Sequence, residues 1–97
     1  MKLRFAPRAL KDIESIADYL KDRSPNAAPK VRDALLASLR TLQDFPRSGR
    51  TQSVPGVRKF VASRFAYLIY YTVDEAAQEV VILICQHPSR EHEFEDR

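Results

Sequence analysis

Tryptophan is absent, and cysteine and methionine occur once each. A single thiol, Cys85, excludes an internal disulfide, so burial and hydrogen bonding alone must hold the fold. Set inside the apolar run Val80 to Cys85, that thiol reads as a small buried hydrophobe and is assigned no chemistry. Glycine is equally scarce. With only Gly49 and Gly56 in the chain, no glycine-rich phosphate loop can be written. Cys85, His87 and His92 lack the paired spacing of a zinc site, so no metal and no cofactor is expected. The run Val80 to Cys85 is far too short to span a bilayer, and Met1-Lys2-Leu3-Arg4 leads into no apolar segment like a signal peptide. A cytoplasmic protein without a membrane partner is the expectation.

One long stretch lacks negative charge. From Phe45 through Val73 there is no Asp or Glu, yet Arg47, Arg50, Arg58, Lys59 and Arg64 all fall there, within a chain whose formal charge is +3. Such segregation produces a local positive field suited to an anionic partner, either nucleic acid or an acidic stretch of protein. The plainer reading is a strand edge guarded against aggregation by its cations. Both stay open at this point.

What is present is an ordinary globule. Ninety-seven residues, 44% hydrophobic and 30% charged, suit one domain spanning 1–97, with the acidic stretch 91–97 expected as a frayed tail. Lys2 to Phe5 alternates and is stopped by Ala6-Pro7, which predicts a short edge strand. Arg8 to Asp22 carries Leu10, Ile13, Ile16, Ala17 and Leu20 at helical spacing, with Tyr19 packed at the core edge. Ser24-Pro25 ends that helix. A second, capped by Asn26, runs to about Asp44 and buries Ala28, Val31, Leu35, Leu39 and Leu42. Phe45 to Pro55 reads as a long basic loop.

The rest is strand-like. Val57 to Ser63 alternates Arg58, Phe60 and Ala62 against Val57, Lys59 and Val61; Tyr67 to Val73 follows after a short connection, and Val80 to Cys85 after a polar turn. If Ile69 and Tyr71 face the helices, Tyr70 is free for a partner; the opposite register exchanges them. The fold class is α+β: an N-terminal strand and an antiparallel helical hairpin packed on one face of a small antiparallel sheet, in the order β-α-α-β-β-β.

Phe45-Pro46-Arg47-Ser48-Gly49-Arg50, then Gly56-Val57-Arg58, then Tyr67-Leu68-Ile69-Tyr70-Tyr71, then Val81-Ile82-Leu83 leading into His87 and Arg90, all behind a helical hairpin, resemble the RelE/ParE superfamily of type II toxin-antitoxin toxins. The long hairpin and the P-R-S-G-R loop are most similar to the ParE branch. The resemblance implies a toxin of plasmid-stabilisation type that binds DNA gyrase and holds it, with Arg58, Lys59, Arg64, Tyr70, His87 and Arg90 as contacts. It also implies a ParD-like antitoxin partner, with Leu10, Ile13, Leu35, Leu39, Arg47 and Arg50 facing it. The alternative is a RelE-like ribosome-dependent messenger ribonuclease, with His87 as base and Arg58, Arg64 and Arg90 as cations. A third reading is an inert module that only binds antitoxin.

Overall fold

The computed structural model describes residues 1–90. The elements run β1 (Lys2–Phe5), α1 (Pro7–Arg23), α2 (Ala28–Asp44), β2 (Arg50–Thr51), β3 (Val57–Val61), β4 (Leu68–Asp74) and β5 (Glu79–Gln86), closing in a 3-10 turn at Pro88–Arg90. The strands form one sheet in the order β1-β5-β4-β3-β2. The expected α+β arrangement is therefore present. The sheet is mixed, because β1 pairs with β5 in parallel while the other neighbours are antiparallel. No short turn joins β1 to β5, so nothing forces them to run oppositely. The expected loop after α2 contains β2, whose Arg50 and Thr51 pair with Lys59 and Arg58. The predicted tail 91–97 lies outside the described residues. Among those residues no helix is long and apolar enough to cross a membrane.

Pro7 opens α1 at its first position, where its missing N–H costs nothing. Ala9, Ile13, Ile16 and Leu20 then fall at i, i+4, i+7 and i+11, one line along the helix, and pack into the core. Leu10, expected in that stripe, lies off the line and is 51% exposed, while Ala9 is fully buried in its place. Helix α2 starts differently from expectation. The Ser24 carbonyl accepts the N–H groups of Ala27 and Ala28, and this turn winds directly into the helix. Ala27 is consequently the N-cap and no side chain caps the end, so Asn26 does not have the role its type suggested. Along α2, Val31, Leu35, Leu39 and Leu42 are buried; so is Ser38, whose hydroxyl donates to the Ala34 carbonyl at 2.9 Å.

The main core lies between the hairpin and one sheet face, where Phe60, Ala62, Tyr67, Ile69, Tyr71, Val80, Ile82 and Cys85 meet the helices. Full burial of a residue such as Leu42, Ile69 or Ile82 stabilises by about 1.5–3 kcal/mol. The opposite face is not bare. Val57, Leu68 and Tyr70 are buried there, with Leu83 and Ile84 against them. The β4–β5 register slips between Tyr70, opposite Ile84, and Tyr71, opposite Ile82, which leaves Leu83 as an extra residue in β5. That bulge turns Leu83 and Ile84 together onto the back cluster.

Candidate functional site

The basic loop is tied down by two residues of the sheet. Tyr71 points to the helix side, as one of the two registers required; its hydroxyl donates to the Pro46 carbonyl at 2.7 Å and accepts the Gly49 N–H at 2.9 Å. Burial raises the Tyr71 pKa, against the lowering effect of the Gly49 N–H and the Arg58 charge, so the phenol stays a donor. Arg58 Nη1 donates to the carbonyls of Gly49, at 2.8 Å, and Arg47, at 3.2 Å. Gly49 has no room for a side chain: a Cβ there would stand 2.6 Å from the Tyr71 hydroxyl and 2.9 Å from the Lys59 carbonyl. The P-R-S-G-R loop therefore owes its course to these contacts, and Arg58 is engaged as its anchor. Arg47 pairs with Glu75 on the surface, and Arg50 lies exposed on β2.

The sequence-derived contact residues separate in space. Cross-strand partners place Arg58 beside Tyr71 and Lys59 beside Tyr70, so the two cations occupy opposite faces. Tyr70, expected to be free for a partner, faces away from the helices yet is wholly buried in the back cluster. Tyr70 is a core residue and not a free contact, because the β5 bulge brings Leu83 and Ile84 against it. Arg64 sits in the exposed turn after β3 with its guanidinium 5.3 Å from the centre of the Phe65 ring. His87 follows β5 and meets Tyr67 edge to face at 5.6 Å. Its Nδ1 accepts the Ser89 N–H at 3.2 Å and lies 2.9 Å from the Ser89 hydroxyl, an arrangement that places the ring proton on Nε2. The backbone of Arg90 closes the turn beside it.

Two clefts flank α1. The first, about 460 Å³ between α1 and α2, is lined by Ile13, Ile16, Ala17, Leu20, Val31, Leu35, Leu36 and Leu39. Of the residues assigned to an antitoxin, Ile13, Leu35 and Leu39 line it, the last two as its buried floor. Leu10 does not, and Arg47 and Arg50 belong to the loop at the other end of the sheet.

The second cleft, about 640 Å³, lies on the other flank of α1 and was not anticipated from sequence. Arg8, Asp12, Ser15 and Tyr19, again at i, i+4, i+7 and i+11, form its helical wall; Phe65, Tyr67 and His87 stand across from it, and Ile16, Leu20, Val31 and Cys85 line both clefts. Tyr19, expected at the core edge, is 58% exposed. Asp12 joins the wall to the sheet: one oxygen accepts Arg8 Nε at 2.9 Å and the other the Cys85 N–H at 3.1 Å. This is possible because β1 stops at Phe5, opposite Ile82, and leaves the end of β5 without a strand on that side, while β4 still pairs with it on the other. Burial first, and the Asp12 charge second, push the Cys85 thiol up to about 12, so it is an inert floor common to both clefts. The Tyr67 phenol is raised by burial and by the nearby Tyr19.

The family described as ParE toxin of type II toxin-antitoxin system, parDE, has a sequence model that matches residues 3–91. The chain belongs to this family. It is thus a type II toxin of the RelE/ParE superfamily. A structure of a chromosomal ParDE toxin-antitoxin system from P. aeruginosa is similar over 90% of this chain and 95% of that one, with TM-score 0.74 and 27% identity. Y4kP of Sinorhizobium fredii, a protein named as a toxin, is 28% identical over 86 residues, 89% of this chain and 86% of that protein. The intact E. coli RelBE complex shares the fold at TM-score 0.58 and 17% identity, over 89% of this chain and 94% of the matched one. Within the ParE family, the anchored loop and the two clefts of this chain are the features on which a function can be built.

Proposed function

We propose that this ParE-family toxin acts without chemistry of its own, by binding DNA gyrase and holding it in one conformational state, and that a ParD-like antitoxin silences it through the α1/α2 cleft. The observation that carries the reading is the disposition of the would-be catalytic groups. Cleavage of RNA requires a free base facing cations that stabilise the charged intermediate. His87 directs Nδ1 at Ser89, and Arg58 is occupied with the loop carbonyls of Arg47 and Gly49. Neither Arg58 nor Arg64 lines the cleft that holds His87, and Arg8, which does, is paired with Asp12. Likeness to the ParDE structure, at higher identity than to RelBE, supports the same branch.

For the antitoxin, an apolar trough between two helices suits an amphipathic segment that folds as it binds, its hydrophobic side chains seated on Leu35 and Leu39. The test is a paired assay on purified toxin: plasmid supercoiling and cleavage by gyrase in one tube, cleavage of a defined message on ribosomes in the other. Inhibited supercoiling with intact message is the expected result. Cut message with gyrase untouched would overturn the reading and return His87 and the arginines to catalysis.

A further inference from the structure

The second cleft, between α1, the β3–β4 turn and the end of β5, is not needed for antitoxin docking in the α1/α2 trough, yet it is built as a rigid aromatic site. Its floor is the buried Tyr67, fixed edge to face by His87. Its rim carries Tyr19 and Phe65, both exposed, and each has an arginine on its ring: Arg23 lies 5.0 Å from the Tyr19 centroid and Arg64 5.3 Å from that of Phe65. Among the described residues neither arginine meets a carboxylate. Tyrosine and arginine are enriched among the side chains that dominate binding energy in protein interfaces.

The turn that presents Phe65 is held in an unfavourable conformation. Phe65 and Ala66 have φ of 65° and 55°, the left-handed region where glycine or asparagine sits with least strain. A turn selected only to join two strands would place glycine or asparagine there; strain retained at two successive residues is a mark of functional segments.

We propose that this cleft is where the toxin grips its target, and that its occupant is a polypeptide segment bearing an aromatic or aliphatic side chain beside a carboxylate. The proposal rests on the reading that the toxin works by holding a protein. The apolar side chain enters between Tyr19, Phe65 and Tyr67, and the carboxylate meets Arg23 or Arg64. A nucleic-acid strand suits the site less well, since the one cation in the cleft wall, Arg8, is already paired with Asp12, and no run of further cations lines the hollow to follow a phosphate backbone.

The experiment uses the full chain with purified gyrase and, separately, induction in a bacterial host. Tyr19→Ser and Phe65→Ser should each raise the toxin concentration needed to inhibit supercoiling on the order of 30-fold, and abolish growth arrest, without lowering the melting temperature. Val54→Ser, on a distant exposed loop, should change neither. Phe65→Asn combined with Ala66→Gly should melt higher than the natural protein and still fail to inhibit, which separates target contact from folding. Cleft variants that inhibit gyrase as well as the natural chain would overturn the proposal and leave the gyrase reading standing. If the natural toxin arrests growth without touching gyrase while the cleft variants do not arrest it, the gyrase reading falls and the cleft stands. Binding of a fluorescein-labelled single-stranded oligonucleotide, lost in the cleft variants, would overturn the polypeptide occupant. A natural chain that neither arrests growth nor inhibits gyrase would overturn both.

Discussion

The two flanks of α1 offer contrasting surfaces built from one helix. Toward α2, Ile13, Ile16 and Leu20 line a trough whose floor, Leu35 and Leu39, is also the hydrophobic core. Toward β5, Arg8, Asp12, Ser15 and Tyr19 face a hollow whose rim can be altered without touching the core. An apolar trough made of core residues couples partner binding to stability, since a segment laid in it extends the core. A mixed aromatic and charged hollow on a finished scaffold leaves recognition free to change while the fold stays. On the proposed reading, with one protein silencing the toxin and another as its target, both kinds of surface have a use.

The sharpest way to break this division is a charge in each floor or rim. Leu39→Asp, at a buried position, should lose about 3–5 kcal/mol of stability in chemical denaturation, whereas Phe65→Asp should shift it by less than about 0.5 kcal/mol. Equal losses would show that the second cleft is core too.

A smaller effect comes from the thiol beneath both clefts. Because the Cys85 pKa is raised from 9.0 to about 12, the folded state favours the neutral form; this contribution is complete below pH 9 and is lost as pH rises toward 12. Between pH 8 and pH 10.5 the natural chain should lose about 2 kcal/mol more than Cys85→Ala. Parallel curves for the two proteins would show that the thiol is solvated.

Smaller again is the trough's dependence on an open mouth. Ala17 is exposed at its edge, and Ala17→Trp should weaken antitoxin binding by at least about 10-fold in titration, near 1.4 kcal/mol, with the melting temperature unchanged. Undiminished binding would place the antitoxin elsewhere. The smallest effect is expected from the ion pair of Arg47 and Glu75, which is exposed on both sides: Arg47→Ala should change stability by less than about 0.5 kcal/mol.

Much of this arrangement was legible in the chain. The helical stripes of α1 and α2, the alternation in β3 and β4 and the punctuation at Pro7, Pro25 and Pro46 specify a helical hairpin followed by a strand meander, because local periodicity and proline sterics act over a few residues. The ordered fragments from Phe45 to Arg90 were enough to suggest the toxin superfamily. Of the apolar residues those stripes offered to an antitoxin, Ile13, Leu35 and Leu39 do line the trough between the helices.

What only the tertiary structure decided involves residues far apart in sequence. The β4–β5 bulge accompanies the burial of Tyr70, which alternation left free for a partner in one of two registers. The parallel seat of β1 ends at Phe5 and leaves the Cys85 N–H for Asp12. Arg58 is bound to a loop that sequence could equally have left open. The second cleft draws Tyr19, Phe65 and His87 from three elements, and no period within any one of them signals the meeting. Side chains that share a helix or strand face are related by a fixed geometry the chain carries in itself. Those brought together across a sheet edge are related only through packing and register, which the finished fold determines.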